Sequence, residues 1–193
     1  MKRLFFGIAL VITLGFNVYF IIDEVVYQRN MEWGKRMEKA FGGKVEDISW
    51  DKGRAMFKDS LKKKYPELAD KKYFYINMWA MFCGPCIKEM PWLDSLAGAM
   101  ERKDVAYIFL AGESDKATNS MLERKKYKIK NFVYLNNMSD FISAVYNEQK
   151  KKSIAYPTIV IIDNKDKIIK YETGAYENVT EAKEFLDLIG KLE

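Results

Sequence analysis

Trp79-Ala80-Met81-Phe82-Cys83-Gly84-Pro85-Cys86-Ile87-Lys88-Glu89-Met90-Pro91 contains both cysteines of a 193-residue chain. The residues before it, Tyr73–Trp79, form a nearly unbroken apolar and aromatic run, as expected of a strand buried on both faces of a sheet. The residues after it read as a helix from about Cys83 to Arg102, and a second buried run, Val105–Ala111, follows. Strand, helix, strand in that order is a βαβ unit, whose two strands should be parallel with a right-handed crossover. Both cysteines therefore fall at a strand-to-helix junction.

That position has chemical consequences. At a helix start, free backbone N–H groups and the positive end of the dipole stabilise a thiolate, the form that attacks disulfides, which makes Cys83 the candidate nucleophile. With two residues between them, Cys86 can reach back within the first turn and attack a mixed disulfide, which makes it the resolving thiol. Pro85 suits the first turn, because the N–H it lacks would have had no helical partner, and it stiffens the loop. Pro91 lies deeper in the helix, where a kink is expected. Glu89 stands three residues after Cys86 on the same helix face, either as an exposed charge or as part of the site. Trp79 either packs the core or shapes the site.

Outward from this unit, Phe57, Leu61 and Tyr65 recur every four residues and predict a helix ending before Pro66. Ser114 to Lys126 reads as a helix, Phe132 to Leu135 as a short strand, and Phe141, Ile142, Val145 and Tyr146 as one helical face. Thr158 to Ile162 and Lys167 to Tyr171 read as a hairpin across the turn-forming Asp163-Asn164-Lys165-Asp166. Ala182, Phe185, Leu186, Ile189 and Leu192 give the apolar stripe of a C-terminal helix. The fold class is α/β, a central mixed sheet with helices on both faces.

The N-terminus is different. Lys2-Arg3 precedes Leu4 to Ile22, which carries no charge, and Asp23-Glu24 follows. A span of that length fits the ~17–25 residues of a membrane helix. A secretory signal peptide has the same basic start, but its apolar stretch is usually shorter, about 7–15 residues, and no small-x-small cleavage site follows here. The expected organisation is an N-terminal transmembrane anchor over 1–22, a polar stalk over 23–45 ending near Gly42-Gly43, and a folded domain over 46–193. A buried core helix at 4–22 would need a partner sheet at the extreme N-terminus. Lys2 and Arg3 favour a cytoplasmic N-terminus, although Arg29, Lys35, Arg36 and Lys39 weaken the positive-inside count.

At its core the chain resembles thioredoxin, and more closely the membrane-anchored thioredoxin-like proteins of the TlpA/ResA type, over roughly residues 45 to 193. The resemblance is carried by Trp-Ala-x-x-Cys-Gly-Pro-Cys, the following Lys-Glu-Met-Pro, Tyr156-Pro157-Thr158 before a late strand, and Thr173-Gly174-Ala175 after its hairpin. It implies a thioredoxin-like fold and a cis bond before Pro157, which faces the dithiol and helps a client chain pair with the backbone beside it. Local sequence alone favours trans, since only about 5–6% of X-Pro bonds are cis.

Two departures stand out. Asn77 replaces the buried aspartate of thioredoxins and cannot take a proton from Cys86; in anchored relatives that share this change, the resemblance assigns part of the proton chemistry to the glutamate matching Glu89. Phe82 replaces the tryptophan usual before the first cysteine, and as an exposed apolar ring it would still serve docking. The residues expected to meet a substrate are Trp79, Phe82, Gly84, Pro85, Tyr156 and Pro157.

Other uses of the cysteines are weaker. A structural staple over so short a loop removes little unfolded-chain entropy. A zinc site would need four ligands, and the chain has no histidine and two cysteines unless a dimer shared four. A redox-inert anchored binding module would have little use for an intact dithiol. The absence of histidine also removes the usual general base and any histidine triad. The net charge of +5 sits in clusters such as Lys62-Lys63-Lys64 and Lys150-Lys151-Lys152 that read as solvated faces, with no pattern for nucleic acid. The expectation is an extracytoplasmic thiol-disulfide oxidoreductase with no cofactor beyond the Cys83–Cys86 disulfide and no metal. The Gly84-Pro85 dipeptide, shared with thioredoxin, favours reduction. Its partners would be a disulfide-containing client, with apocytochrome c one candidate, a membrane thiol electron donor, and the membrane itself through the N-terminal helix.

Overall fold

Alternation along a strand sends neighbouring side chains to opposite faces of a sheet, and in the strand β1 (Tyr73–Trp79) both faces are fully buried. The computed structural model describes residues 45–191 except 101, 126 and 177. The anchor expected over 1–22 and nearly all of the stalk lie outside the described residues, and among those described no helix is long and apolar enough to cross a membrane.

β1 pairs in parallel with β2 (Val105–Ala111), which pairs in parallel with the short β3 (Val133–Leu135). On its other side β1 pairs antiparallel with β4 (Thr158–Asp163), and β4 with β5 (Ile168–Thr173), giving the order β3-β2-β1-β4-β5. The mixed sheet expected from the sequence is present, and its fold is thioredoxin-like. Lys167 belongs to the turn and not to the last strand, because Asp163 Oδ1 accepts the N–H groups of both Lys165 and Lys167 at 2.9 Å.

One face of the sheet carries α1 (Trp50–Lys64) and α4 (Ser139–Glu148). Their Phe57, Leu61, Phe141, Ile142, Val145 and Tyr146 pack on Phe74, Ile76 and Met78 of β1. Ser49 caps α1 by accepting the Lys52 N–H at 3.4 Å, and Lys62, Lys63 and Lys64 complement the dipole in its last turn. Tyr65, read from periodicity as helical, is the residue after the helix, with φ −141° ahead of Pro66.

The opposite face carries α2 (Gly84–Ala99) and α5 (Val179–Gly190). Cys86, Met90, Leu93 and Ala97 of α2 and Ala182 and Ile189 of α5 pack there with Tyr73, Tyr75 and Trp79 of β1. The helix α3 (Asp115–Lys125) follows β2. The cysteine helix is shorter than its sequence suggests: Cys83 is its cap and Ala99 its last residue, and it runs continuously through Pro91.

Candidate active site

The parity of β1 determines what lies over the cysteine helix. Tyr75, Asn77 and Trp79 share a face, so the one polar side chain of that strand is turned toward α2. There Asn77 Nδ2 donates to Glu89 Oε1 at 2.9 Å, and both residues are about 1% exposed. The backbone N–H of Tyr176, beyond β5, donates to Glu89 Oε2 at 3.4 Å. Glu89 is therefore not the exposed helix charge that one sequence reading allowed. Burial pushes its carboxyl up to about 7, against the two hydrogen bonds, which pull it down. The phenol of Tyr75 lies fully buried beside this group, and burial raises it well above its ordinary range, with Tyr176 and Glu89 adding to the effect.

At the start of α2, Cys83 and Cys86 form a disulfide, with Cα atoms 5.3 Å apart. Cys83 caps the helix: its Sγ accepts the Cys86 N–H at 3.2 Å, and its own N–H donates to Ala80 C=O at 2.9 Å. Cys86 is fully buried and Cys83 is 6% exposed, so the sulfur nearer solvent is also the one receiving a helix N–H. Gly84 and Pro85 are exposed, and a Cβ at Gly84 would meet nothing, so the approach over the first turn is open.

The bond between Tyr156 and Pro157 is cis, as the family resemblance implied and contrary to the local sequence preference. Thr158 pairs with Met78, which places Pro157 at the end of β1 that leads into the dithiol loop. Tyr156 meets Phe82 edge to face, with ring centroids 6.1 Å apart. Phe82 is consequently half-buried and not the exposed ring expected from its position. Trp79 is fully buried among the core residues beneath Cys86, and its Nε1 has no hydrogen-bond partner among the described residues.

One residue of this region had no signal in the sequence. Glu113, just past β2, accepts the Met81 N–H on Oε1 at 2.9 Å and so ties down the loop entering Cys83. Its charge also acts on Tyr156, whose phenol is raised chiefly by burial and secondarily by Glu113. The two residues are 32 positions apart, and only the parallel pairing of β1 and β2 brings them together. Among the described residues no group of three or more histidine, cysteine or acidic side chains could hold a metal.

Comparison with known proteins agrees with this geometry. The Redoxin family model matches residues 57–186. Two curated proteins named thiol-disulfide oxidoreductase ResA, from Bacillus thuringiensis subsp. konkukian (strain 97-27) and Bacillus cereus (strain ATCC 10987 / NRS 248), are each 31% identical over 104 residues. The aligned part is 53% of this chain and 56% of either relative, so the chain spans about half the length of the curated relatives it matches. A thioredoxin-family thiol:disulfide interchange protein from Chlorobium tepidum TLS superposes with a TM-score of 0.50 at 17% identity, covering 64% of this chain and 82% of that one, a likeness of fold. With its buried glutamate, its cis proline and a family match over most of the folded domain, the chain belongs to the Redoxin family, as a TlpA/ResA-like member of the thioredoxin superfamily.

Proposed function

We propose that this protein is a thiol-disulfide oxidoreductase that reduces protein disulfides through Cys83 and Cys86. The observation that carries the reading is the helix N–H of Cys86 on Cys83 Sγ, which would favour a thiolate on the more accessible sulfur once the disulfide is opened. In the reduced protein the Cys83 thiolate attacks one sulfur of a client disulfide. The client bond breaks, a Cys83–client bond forms, and the other client sulfur leaves as a thiolate and takes up a proton. Glu89, ionised, accepts the Cys86 proton from three residues along the helix. The Cys86 thiolate then attacks Cys83 Sγ, re-forms the Cys83–Cys86 disulfide and releases the client as a dithiol, so that two electrons pass to the client.

Trp79, Phe82, Gly84, Pro85, Tyr156 and Pro157 form the surface and floor on which the client rests in this reading. The dithiol is recharged by a membrane thiol electron donor. We place the domain on the extracytoplasmic side, held by residues 1–22, on the strength of the uncharged Leu4–Ile22 run behind Lys2-Arg3. Apocytochrome c awaiting haem attachment is the client that the TlpA/ResA resemblance favours, and a strain lacking the protein that matured c-type cytochromes normally would remove it.

The test of the central reading is the equilibrium potential of the Cys83/Cys86 pair in the full chain, from a dithiothreitol redox series. A value near the ~−270 mV of thioredoxin supports a reductant, and one near the ~−120 mV of a periplasmic oxidant reverses the direction. A pair that does not titrate at all overturns the exchange chemistry.

A further inference from the structure

The hydroxyl of Tyr146 takes no part in the exchange chemistry, and it reaches the client-facing loop from the sheet face opposite the cysteine helix. Tyr146 is 1% exposed in α4. Ala155 N–H donates to its Oη at 2.9 Å, and Oη donates in turn to Ala155 C=O at 2.5 Å. Thr158 Oγ1, fully buried, lies 2.7 Å from the same Oη and 2.8 Å from Ala155 O. Both peptide groups of Ala155 are thus held from behind by one side chain. Ala155 is itself exposed, and it is the buried hydroxyls of Tyr146 and Thr158 that would lose these partners if the loop loosened, so the arrangement is favoured over a loosened one. Burial raises the phenol and keeps it in the protonated form that can donate.

The next two residues are the ones that face the site. Tyr156 sets its ring against Phe82, the residue before Cys83, and Pro157 C=O accepts the Gly174 N–H at 3.0 Å. The helix behind the clamp is itself firmly seated: a Cβ at Gly53 of α1 would collide with Ala144 Cβ of α4.

We propose that Tyr146 is a positioning residue for client binding, whose hydroxyl clamps Ala155 so that the Tyr156–Pro157 edge stands in fixed register beside Cys83. The proposal rests on the thiol-disulfide exchange described above. A protein client needs this edge, because its chain has to lie along it. A small dithiol such as dithiothreitol reaches Cys83 without it.

The test compares full-length wild type, Y146F and Y171F; Tyr171 meets Tyr146 edge to face at 6.1 Å but makes no bond to Ala155, so its variant controls for loss of a neighbouring buried hydroxyl. Two quantities are measured: the rate and equilibrium of dithiothreitol exchange, and the turnover of insulin disulfides with dithiothreitol as reductant. For Y146F the KM for insulin should rise about threefold to tenfold with kcat within about twofold, the pattern of lost binding that is uniform along the reaction. Dithiothreitol exchange and potential should match wild type, and Y171F should match it in everything.

An unchanged insulin KM in Y146F overturns the proposal. So does a parallel fall in dithiothreitol and insulin rates, which would mark Tyr146 as a general support of the domain, or an equal KM rise in Y171F. If Y146F does not fold, Thr158→Val keeps the tyrosine and loses the bridging hydroxyl; a raised insulin KM is expected there too, and an unchanged one overturns the proposal equally. A wild-type protein that exchanges with neither reagent overturns the exchange chemistry itself, and the clamp with it.

Discussion

Asn77 Nδ2 donates to Glu89 Oε1 across 2.9 Å, joining the central strand to the cysteine helix through two side chains with almost no solvent exposure. A thioredoxin-type aspartate at position 77 would set two carboxyls face to face in the same space. With asparagine there, one carboxyl remains, and its partner can only donate to it. The one buried carboxyl here thereby stands on the helix, one turn from Cys86.

Because burial lifts the Glu89 carboxyl to about 7, the native protein holds a proton that the unfolded chain, near 4.5, has already lost. Between those values the native state binds more protons, so stability is greatest below about 4.5 and is lost as pH rises through about 7, by on the order of 3 kcal/mol. Tyr75 from β1 and Tyr176 from the loop after β5 face the same carboxyl, but their phenols stay protonated throughout this window. Glu89→Gln should remove the slope. Denaturant unfolding of the oxidised protein at several pH values checks this, and wild-type and E89Q curves that run parallel from pH 4.5 to 8 would contradict it.

Asn77→Ala removes the stronger of the two donors that stabilise ionised Glu89. The carboxyl should then titrate higher, and the inflection in the alkylation rate of the reduced cysteines near neutral pH should move upward. A stability loss of about 1–3 kcal/mol should accompany it, from the cavity and the lost bond. Measuring that rate from pH 5 to 9 in wild type and variant decides the matter, since a cavity alone would lower stability without displacing the inflection.

How far these contacts could be read from sequence depends on their range. Tyr73–Trp79 and Val105–Ala111 announce themselves because strands covered on both faces have no polar alternation to obscure them, and their observed limits coincide with the apolar runs. The parity of Asn77 with Trp79 is also legible. The burial of Glu89 is not: spacing from Cys86 gives its direction around the helix, whereas its cover comes from β1 and from Tyr176, 87 residues away. Glu113 escaped for the same reason, and Phe82 differs from the sequence reading because its neighbour Tyr156 comes from the loop before β4, distant along the chain. The Tyr156–Pro157 bond shows the converse, since local energetics favour trans and only the surrounding fold selects cis.

Asp94 illustrates a structural residue hidden among helix positions. Its carboxylate accepts N–H groups from Lys130 at 3.0 and 3.1 Å, Asn131 at 2.7 Å and Phe132 at 3.0 Å, and so fixes the chain as it enters β3. Phe132 then stacks on Phe109 with centroids 4.1 Å apart. Asp94→Ala leaves three N–H groups without their acceptor and should cost about 2–4 kcal/mol. Hydrogen exchange should report fast amides at Lys130, Asn131 and Phe132 with β1 still protected; uniform loss of protection would show that the residue does more than anchor this segment.

Gly53 lies in the first turn of α1, where alanine would ordinarily gain at most about 1 kcal/mol in helix propensity. Here a Cβ would run into Ala144 Cβ and come within 3.5 Å of the Phe141 Cα. The Phe141 Cα at that distance is an ordinary contact, but the Ala144 methyl is fixed to its backbone and cannot rotate away. Overpacking of this kind costs about 1–3 kcal/mol, so the collision outweighs the propensity and Gly53→Ala should destabilise by about 1–2 kcal/mol. The double variant Gly53→Ala, Ala144→Gly moves the methyl from one helix to the other and restores the space. It should recover stability relative to the Gly53→Ala variant once the separate cost of glycine in α4 is subtracted by a mutant cycle. A zero coupling energy would mean that α1 and α4 separate freely at this contact, and that α4 is not the fixed support from which Tyr146 holds Ala155.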